Sequence, residues 1–155
     1  MPCGCGSVVK LLADYLERQL PQDLRAEFEA KSVHGALATM VEDASVLMIP
    51  TGWGGKGKVA LLPLYRDEFI PSIPDDYESR LLHRIVTQDR IVEETIGRFH
   101  HTKRMDWFLP GLEPTGKPIE VQSIMVIEFR DGKMAAERLY WDSATALRQI
   151  GRLGG

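Results

Sequence analysis

The side chains best suited to chemistry in this chain fall in its second half. His100 and His101 stand side by side, Glu93 and Glu94 precede them, and Tyr140, Trp141 and Asp142 form a cluster further on. An imidazole titrates near neutral pH, and burial in an apolar cavity drives a carboxyl towards its neutral form, so both can carry protons inside a pocket. Adjacent residues on a strand point to opposite faces, so only one member of each pair can face inward. Parity ties Glu94 to Ile96, Arg98 and His100, and Glu93 to Thr95, Phe99 and His101; a bulge would break that tie, so both choices stay open. In the last strand Glu137, Leu139 and Trp141 share one face, and Arg138, Tyr140 and Asp142 the other. Asp142 can help to cap a following helix, or project into the open end of a sheet as a proton carrier.

Other chemistries have weaker support. Gly52 to Lys58 has the G-x-x-x-x-G-K spacing of a phosphate loop, but Val59 stands where a magnesium-binding Ser or Thr is needed, so a flexible glycine connection is expected. The adjacent histidines cannot both ligate one ion, and His34 and His83 are remote in sequence; neither a metal nor a cofactor is expected. No serine sits in a nucleophile-elbow sequence and no cysteine lies beside a histidine, so covalent catalysis lacks its parts. Cys3 and Cys5 read as a reduced pair in a flexible terminus, residues 1–6.

A chain of 155 residues, 44% hydrophobic and 26% charged, fits one domain over 1–155 with a core of its own. Its formal charge of -3 and pI near 5.8 give no basic field for nucleic acid. No charged-then-apolar leader pattern and no apolar run near the ~20 residues of a membrane helix is evident, so a cytoplasmic protein without a membrane partner is expected.

The elements that must position these side chains follow from periodicity. Apolar residues three and four apart predict a helix from Ser7 to Leu20, a second carrying Leu24, Phe28, Val33, Leu37 and Met40, and a third over Val59 to Ile70, closed by Pro71 and Pro74. Strands are expected at Ala44 to Ile49, Arg80 to Gln88, Arg90 to Thr102, Pro118 to Arg130 and Lys133 to Trp141. Asp131-Gly132 tolerates the positive φ of a type I′ hairpin turn. Ser143 can cap a short final helix with Ala144, Leu147 and Ile150 on one side and Gly151 at its end. Early helices and late strands define an α+β class. Ile119, Val121, Ser123, Met125, Ile127 and Phe129 alternate on one face of the long strand; Ile124 and Val126, on the polar face, suit a subunit contact.

The stretches DWFLPGLEPTGKPIEV, IEFRDGKMAAERLYWD and the closing ALRQIG resemble the SnoaL-like polyketide cyclase family of the NTF2-like superfamily, over nearly the whole chain. The resemblance implies an α+β, NTF2-like cone-shaped barrel: three N-terminal helices on a strongly curved, mainly antiparallel sheet, a short C-terminal helix, and a deep pocket. It also implies a homodimer through the outer face of the sheet. The superfamily includes cyclases, epoxide hydrolases, steroid isomerases, dehydratases and proteins without a known reaction. In the cyclases an aspartate before the last helix and a histidine entering the long loop are associated with proton transfer; by motif these are Asp142 and His101, and an acidic residue is common where Glu94 stands. His100-His101-Thr102 followed by Lys103 departs from the Thr-His and glycine turn common in cyclases. The Asp-Arg-Asp arrangement of epoxide hydrolases is not evident in the sequence, although Asp142, Arg98 and Glu94 can imitate it in space.

The expected function is cofactor-independent acid-base chemistry on a small or medium hydrophobic carbonyl, enol or epoxide. Asp142 or Glu94 would move the proton and His101 polarise an oxygen, while Trp107, Tyr140, Trp141, Arg98 and Tyr65 would contact the substrate. The alternative is a non-catalytic domain that binds a hydrophobic ligand or a partner in the same pocket.

Overall fold

The computed structural model describes residues 33–154. The first expected helix, the start of the second and the Cys3 and Cys5 pair lie outside the described residues. What remains is α1 (Val33–Ala38), β1 (Met40–Met48), β2 (Trp53–Lys56), a helical run made of α2 (Lys58–Pro63), a π-helical turn (Leu64–Phe69) and α3 (Ile70–Ser72), then β3 (Glu78–Val86), β4 (Arg90–His100), β5 (Pro118–Arg130), β6 (Lys133–Trp141) and α4 (Ser143–Gln149).

The strands form one six-stranded sheet in the order β2-β1-β6-β5-β4-β3, with β1 parallel to β6 and every other pair antiparallel. The sheet is open, with β2 and β3 at its edges. Register shifts between Leu81 and His83 and between Glu128 and Phe129 bend it, because an extra residue on one strand increases local twist. The β5–β6 hairpin turns through Asp131 at φ 53° and Gly132 at φ 72°, as a type I′ turn requires.

Several boundaries differ from those expected. β1 begins at Met40, since Met40, Ala44, Val46 and Met48 are all buried and a register shift between Met40 and Ser45 leaves Glu42 and Asp43 exposed. β3 lies two residues earlier than expected, and β4 stops at His100, whose backbone N–H is taken by the Asp76 carboxylate. The glycine segment after β1 is not a flexible connection. It pairs with β1 as an edge strand, and a Cβ on Gly54 would lie 1.9 Å from the Val46 carbonyl oxygen, so only glycine permits the approach. Lys58, the lysine of the apparent phosphate loop, pairs with Glu42 at 2.9 Å.

The third expected helix runs from Lys58 to Ser72 but changes register after Pro63, which has no N–H to donate. The widened π turn ends with the Ile70 N–H on the Tyr65 carbonyl, and Leu61, Tyr65 and Phe69 all turn inward. Asp142, not Ser143, caps α4: it accepts the Thr145 N–H at 3.0 Å and the Thr145 hydroxyl at 2.6 Å. Ala146 and Ile150 are the buried side chains at that end, whereas Ala144 is exposed.

The concave face of the sheet is closed by the helical run and by the loop after β4. Asp106 accepts the Gly111 N–H at 2.8 Å, folding Trp107, Phe108 and Leu109 into a tight turn, and Met105, Phe108 and Leu109 are buried. The Asp-Trp-Phe-Leu-Pro-Gly segment is thus an apolar plug with a polar tie at its base.

Candidate functional site

Strand register shows which residues share the inner face. One row runs Glu93, Met125, Leu139 and Met48; the next, towards the β5–β6 turn, runs Ile91, Ile127, Glu137 and Val46; on the other side lie Thr95, Ser123 and Trp141. The structure therefore turns Glu93 and His101 inward, and Glu94 and His100 outward.

Aromatic side chains fill the space over the third row. Trp107 meets Phe69 edge-on at 4.9 Å and Trp141 at 6.2 Å, and Phe108 lies 5.1 Å from Trp141, measured between ring centroids. Between them is a cavity of about 40 Å³ lined by Tyr77, Gly97, Phe99, Trp107, Phe108, Val121, Ser123, Leu139 and Trp141. Of the three tryptophans, Trp53 donates its indole N–H to Glu68 and Trp107 to Ser72, each at 2.8 Å. Trp141 Nε1 is buried with no partner among the described residues, an arrangement that costs about 1–3 kcal/mol when nothing fills it. A larger groove of about 490 Å³ between the helical run and the 102–114 loop carries surface charges such as Arg104 and Asp106, which pair with each other. None of the buried titratable groups lines it.

His101 is fully buried at the far end of β4. Its Nδ1 accepts the Thr115 backbone N–H at 3.3 Å, which leaves the proton of the neutral ring on Nε2, and Nε2 is buried without a partner among the described residues. Burial lowers the pKa, so the ring is neutral at pH 7.

The carboxylates of the inner face are differently placed. Glu93 is held by Arg84 from β3, with Nε and a terminal nitrogen of the guanidinium at 2.7 and 2.5 Å from one carboxylate oxygen. Glu137, half-buried on the same face, has no hydrogen-bond or ion-pair partner among the described residues. Burial, with a smaller push from the Glu93 charge, raises its pKa to about 7. The buried Tyr65 phenol is pushed well above its usual range, first by burial and then by the nearby Glu137 charge. A carboxyl poised at neutral pH, a protonated phenol and a fixed ion pair thus gather over β4 and β6.

The expected proton carriers do not meet. Asp142 is exposed and engaged as the α4 cap, which lowers its pKa through the hydrogen bonds from Thr145. Glu94 lies on the outer face opposite Ile124, where Arg98 pairs with Glu120 at 2.5 Å and Tyr140 is 39% exposed. His101 is eight residues along β4 from Glu93, up to roughly 26 Å at the rise of a strand. Parity accounts for Glu94, Arg98 and Tyr140, and capping for Asp142. Of the expected substrate contacts, Tyr65, Trp107 and Trp141 face inward. The sequence reading passed over Glu137 and Arg84, although the signal for Glu137 was present: a carboxylate sharing a strand face with Leu139 and Trp141. Among the described residues no cluster of three or more His, Cys, Asp or Glu side chains could hold a metal ion, and no helix is long and apolar enough to cross a membrane.

A cone of curved sheet with helices over its concave side and titratable groups on its inner wall defines an NTF2-like α+β domain. Residues 67–150, just over half of the chain, match the model of the SnoaL-like polyketide cyclase family, and the chain belongs to that family. Its fold is similar to that of a SnoaL-like protein from Jannaschia sp. CCS1 proposed as a polyketide cyclase, at a TM-score of 0.71 and 13% identity over 99% of both chains. It is also similar to IdmH of Streptomyces antibioticus, a proposed polyketide cyclase, at 0.64 and 19% identity over 84% of this chain and 95% of that one. A protein of ketosteroid isomerase-like fold from Catenulispora acidiphila DSM 44928, in complex with trimethylamine, matches at 0.67 and 12% identity over 88% and 95%. No curated protein matches the chain in sequence.

Proposed function

We infer that this chain is a cofactor-independent acid-base enzyme acting on a hydrophobic carbonyl, enol or epoxide held inside the cone, with Glu137 as the proton carrier. The observation that carries this reading is an inward-facing carboxyl, without a partner among the described residues, whose pKa is raised to about 7, so that acid and base forms coexist at neutral pH. The protonated Tyr65 phenol is positioned to donate to a substrate oxygen as charge develops on it, and the Arg84 and Glu93 pair fixes the charge beside Glu137. His101 holds the loop through Thr115, and Asp142 holds α4.

The outer face supports a homodimer, as the family resemblance implies. Leu47 39%, Ile49 39%, Ile85 63%, Ile124 45% and Tyr140 39% are exposed apolar or aromatic side chains on that face.

The test of the catalytic reading is proton exchange. Hydrophobic cyclic ketones incubated with the protein in D2O should lose their α-hydrogen NMR signals, and Glu137→Gln should abolish the loss while Asp142→Asn and Glu94→Gln retain it. No exchange with any ketone, or exchange that survives Glu137→Gln, removes Glu137 from proton transfer.

A further inference from the structure

One residue lining the aromatic cavity carries a donor with no partner among the described residues. Trp141 is 9% exposed, its Nε1 has no partner among those residues, and an indole N–H can only donate. Directly across β5 lies Ser123, whose hydroxyl shares a 2.8 Å hydrogen bond with Thr95 in the same row. When Thr95 donates in that bond, the Ser123 proton is left unused by it. Both residues line the same space of about 40 Å³, enough for the polar end of a ligand but not for a whole one. Gly97 helps to keep that space open: a Cβ there would come within 3.3 Å of the Tyr77 hydroxyl.

We propose that Trp141 Nε1 and Ser123 Oγ form a subsite for a neutral oxygen acceptor, the carbonyl or ether oxygen of an otherwise hydrophobic ligand. The lining holds no Lys, Arg or His to compensate a carboxylate, so desolvation selects against anionic ligands. Trp107 and Phe108, 5.5 Å apart between ring centroids, supply apolar lining.

The subsite also constrains ligand length, a point that rests on the role given to Glu137. Glu137 and Trp141 lie on one face of β6, four residues apart, or roughly 13 Å between backbone positions. A substrate that reacts at Glu137 while its oxygen sits on Trp141 is therefore elongated, with a second oxygen remote from the reacting carbon.

Two probes of similar shape separate the alternatives: cyclohexanone, which carries an acceptor, and methylenecyclohexane, which does not. With the tryptophans 15N-labelled and the Trp141 resonance identified by elimination with Trp53→Phe and Trp107→Phe, cyclohexanone should move the Trp141 indole proton downfield in a saturable way. Methylenecyclohexane should leave it in place. Ser123→Ala should weaken the ketone about fivefold, the effect of one neutral hydrogen bond. Equal shifts with both probes, or no shift with either, overturns the proposal. Glu137→Gln should leave the ketone shift unchanged; an intact shift with no proton exchange in the wild type, or with exchange that survives Glu137→Gln, overturns the catalytic reading alone. An absent shift with exchange intact overturns the subsite alone.

Discussion

Replacing Glu137 by glutamine tests the electrostatics of the cone without any knowledge of the substrate. The Glu137 pKa is raised from 4.5 to about 7 in the folded chain, a difference equivalent to about 3 kcal/mol. Its sign is fixed by linkage. Between those two values the folded state binds a proton that the unfolded state has released, so the stabilising contribution is complete below the unfolded pKa and is lost as pH rises through 7. Between pH 5 and pH 8 the wild-type chain should lose about 2.5 kcal/mol from this group alone, which for a domain of this size moves the melting temperature by roughly 5–10 °C. Glu137→Gln cannot titrate, so its stability should match the wild type near pH 5 and exceed it by about 2.5 kcal/mol at pH 8. Urea unfolding of both chains at half-unit pH steps measures the difference, and other titrating groups cancel in it. Parallel stability curves for the two chains would refute the placement of Glu137 as a half-buried carboxyl without a partner among the described residues, and the proposed proton transfer with it.

The other predictions concern residues that hold the site in place. Arg84→Met leaves Glu93 buried without its cation and should cost about 3–5 kcal/mol in urea unfolding, most of it recovered by adding Glu93→Gln; an undisturbed single variant would mean that the ion pair is not formed. Asp142→Ala should lower the melting temperature and Asp142→Asn should largely restore it, because the cap needs a side-chain oxygen. The Asp142 pKa is lowered, so that cap is fully effective above the ordinary aspartate range and weakens as pH falls through the lowered value; a loss that grows towards acid would contradict it. Ile124→Asp places a charge among the exposed apolar side chains of the outer face, and light scattering should then report the 17.4 kDa chain mass where the wild type reports twice that. A wild-type mass equal to one chain would remove the dimer.

Much of the scaffold was legible in the sequence because it depends on local rules. The alternation from Ile119 to Ile127, the Asp131-Gly132 turn, and the β5 and β6 boundaries follow from two-residue periodicity and positive φ. The glycine segment after β1 was misread, because its glycines serve a close backbone approach that becomes visible only once β1 and β2 pair. The π turn after Pro63 was likewise hidden, since periodicity marks apolar residues but not a change of hydrogen-bond register.

For the candidate site, the sequence by itself determined that acidic, imidazole and aromatic side chains would reach the ends and faces of curved strands. Only the tertiary structure decided which of them face inward and which of those have partners. Strand parity is relative until the sheet has a covered side, so Glu93 or Glu94, and His100 or His101, remained equal choices until the helical run and the Met105 to Leu109 plug settled on the concave face. Asp142 offered two roles, and the position of the Thr145 N–H decided for the cap. Glu93 and Glu137 are both glutamates on adjoining rows; an arginine from β3 satisfies one, and among the described residues nothing satisfies the other. That difference comes from residues far apart in the chain, and it is what moves a carboxyl's pKa to the pH at which proton transfer is useful.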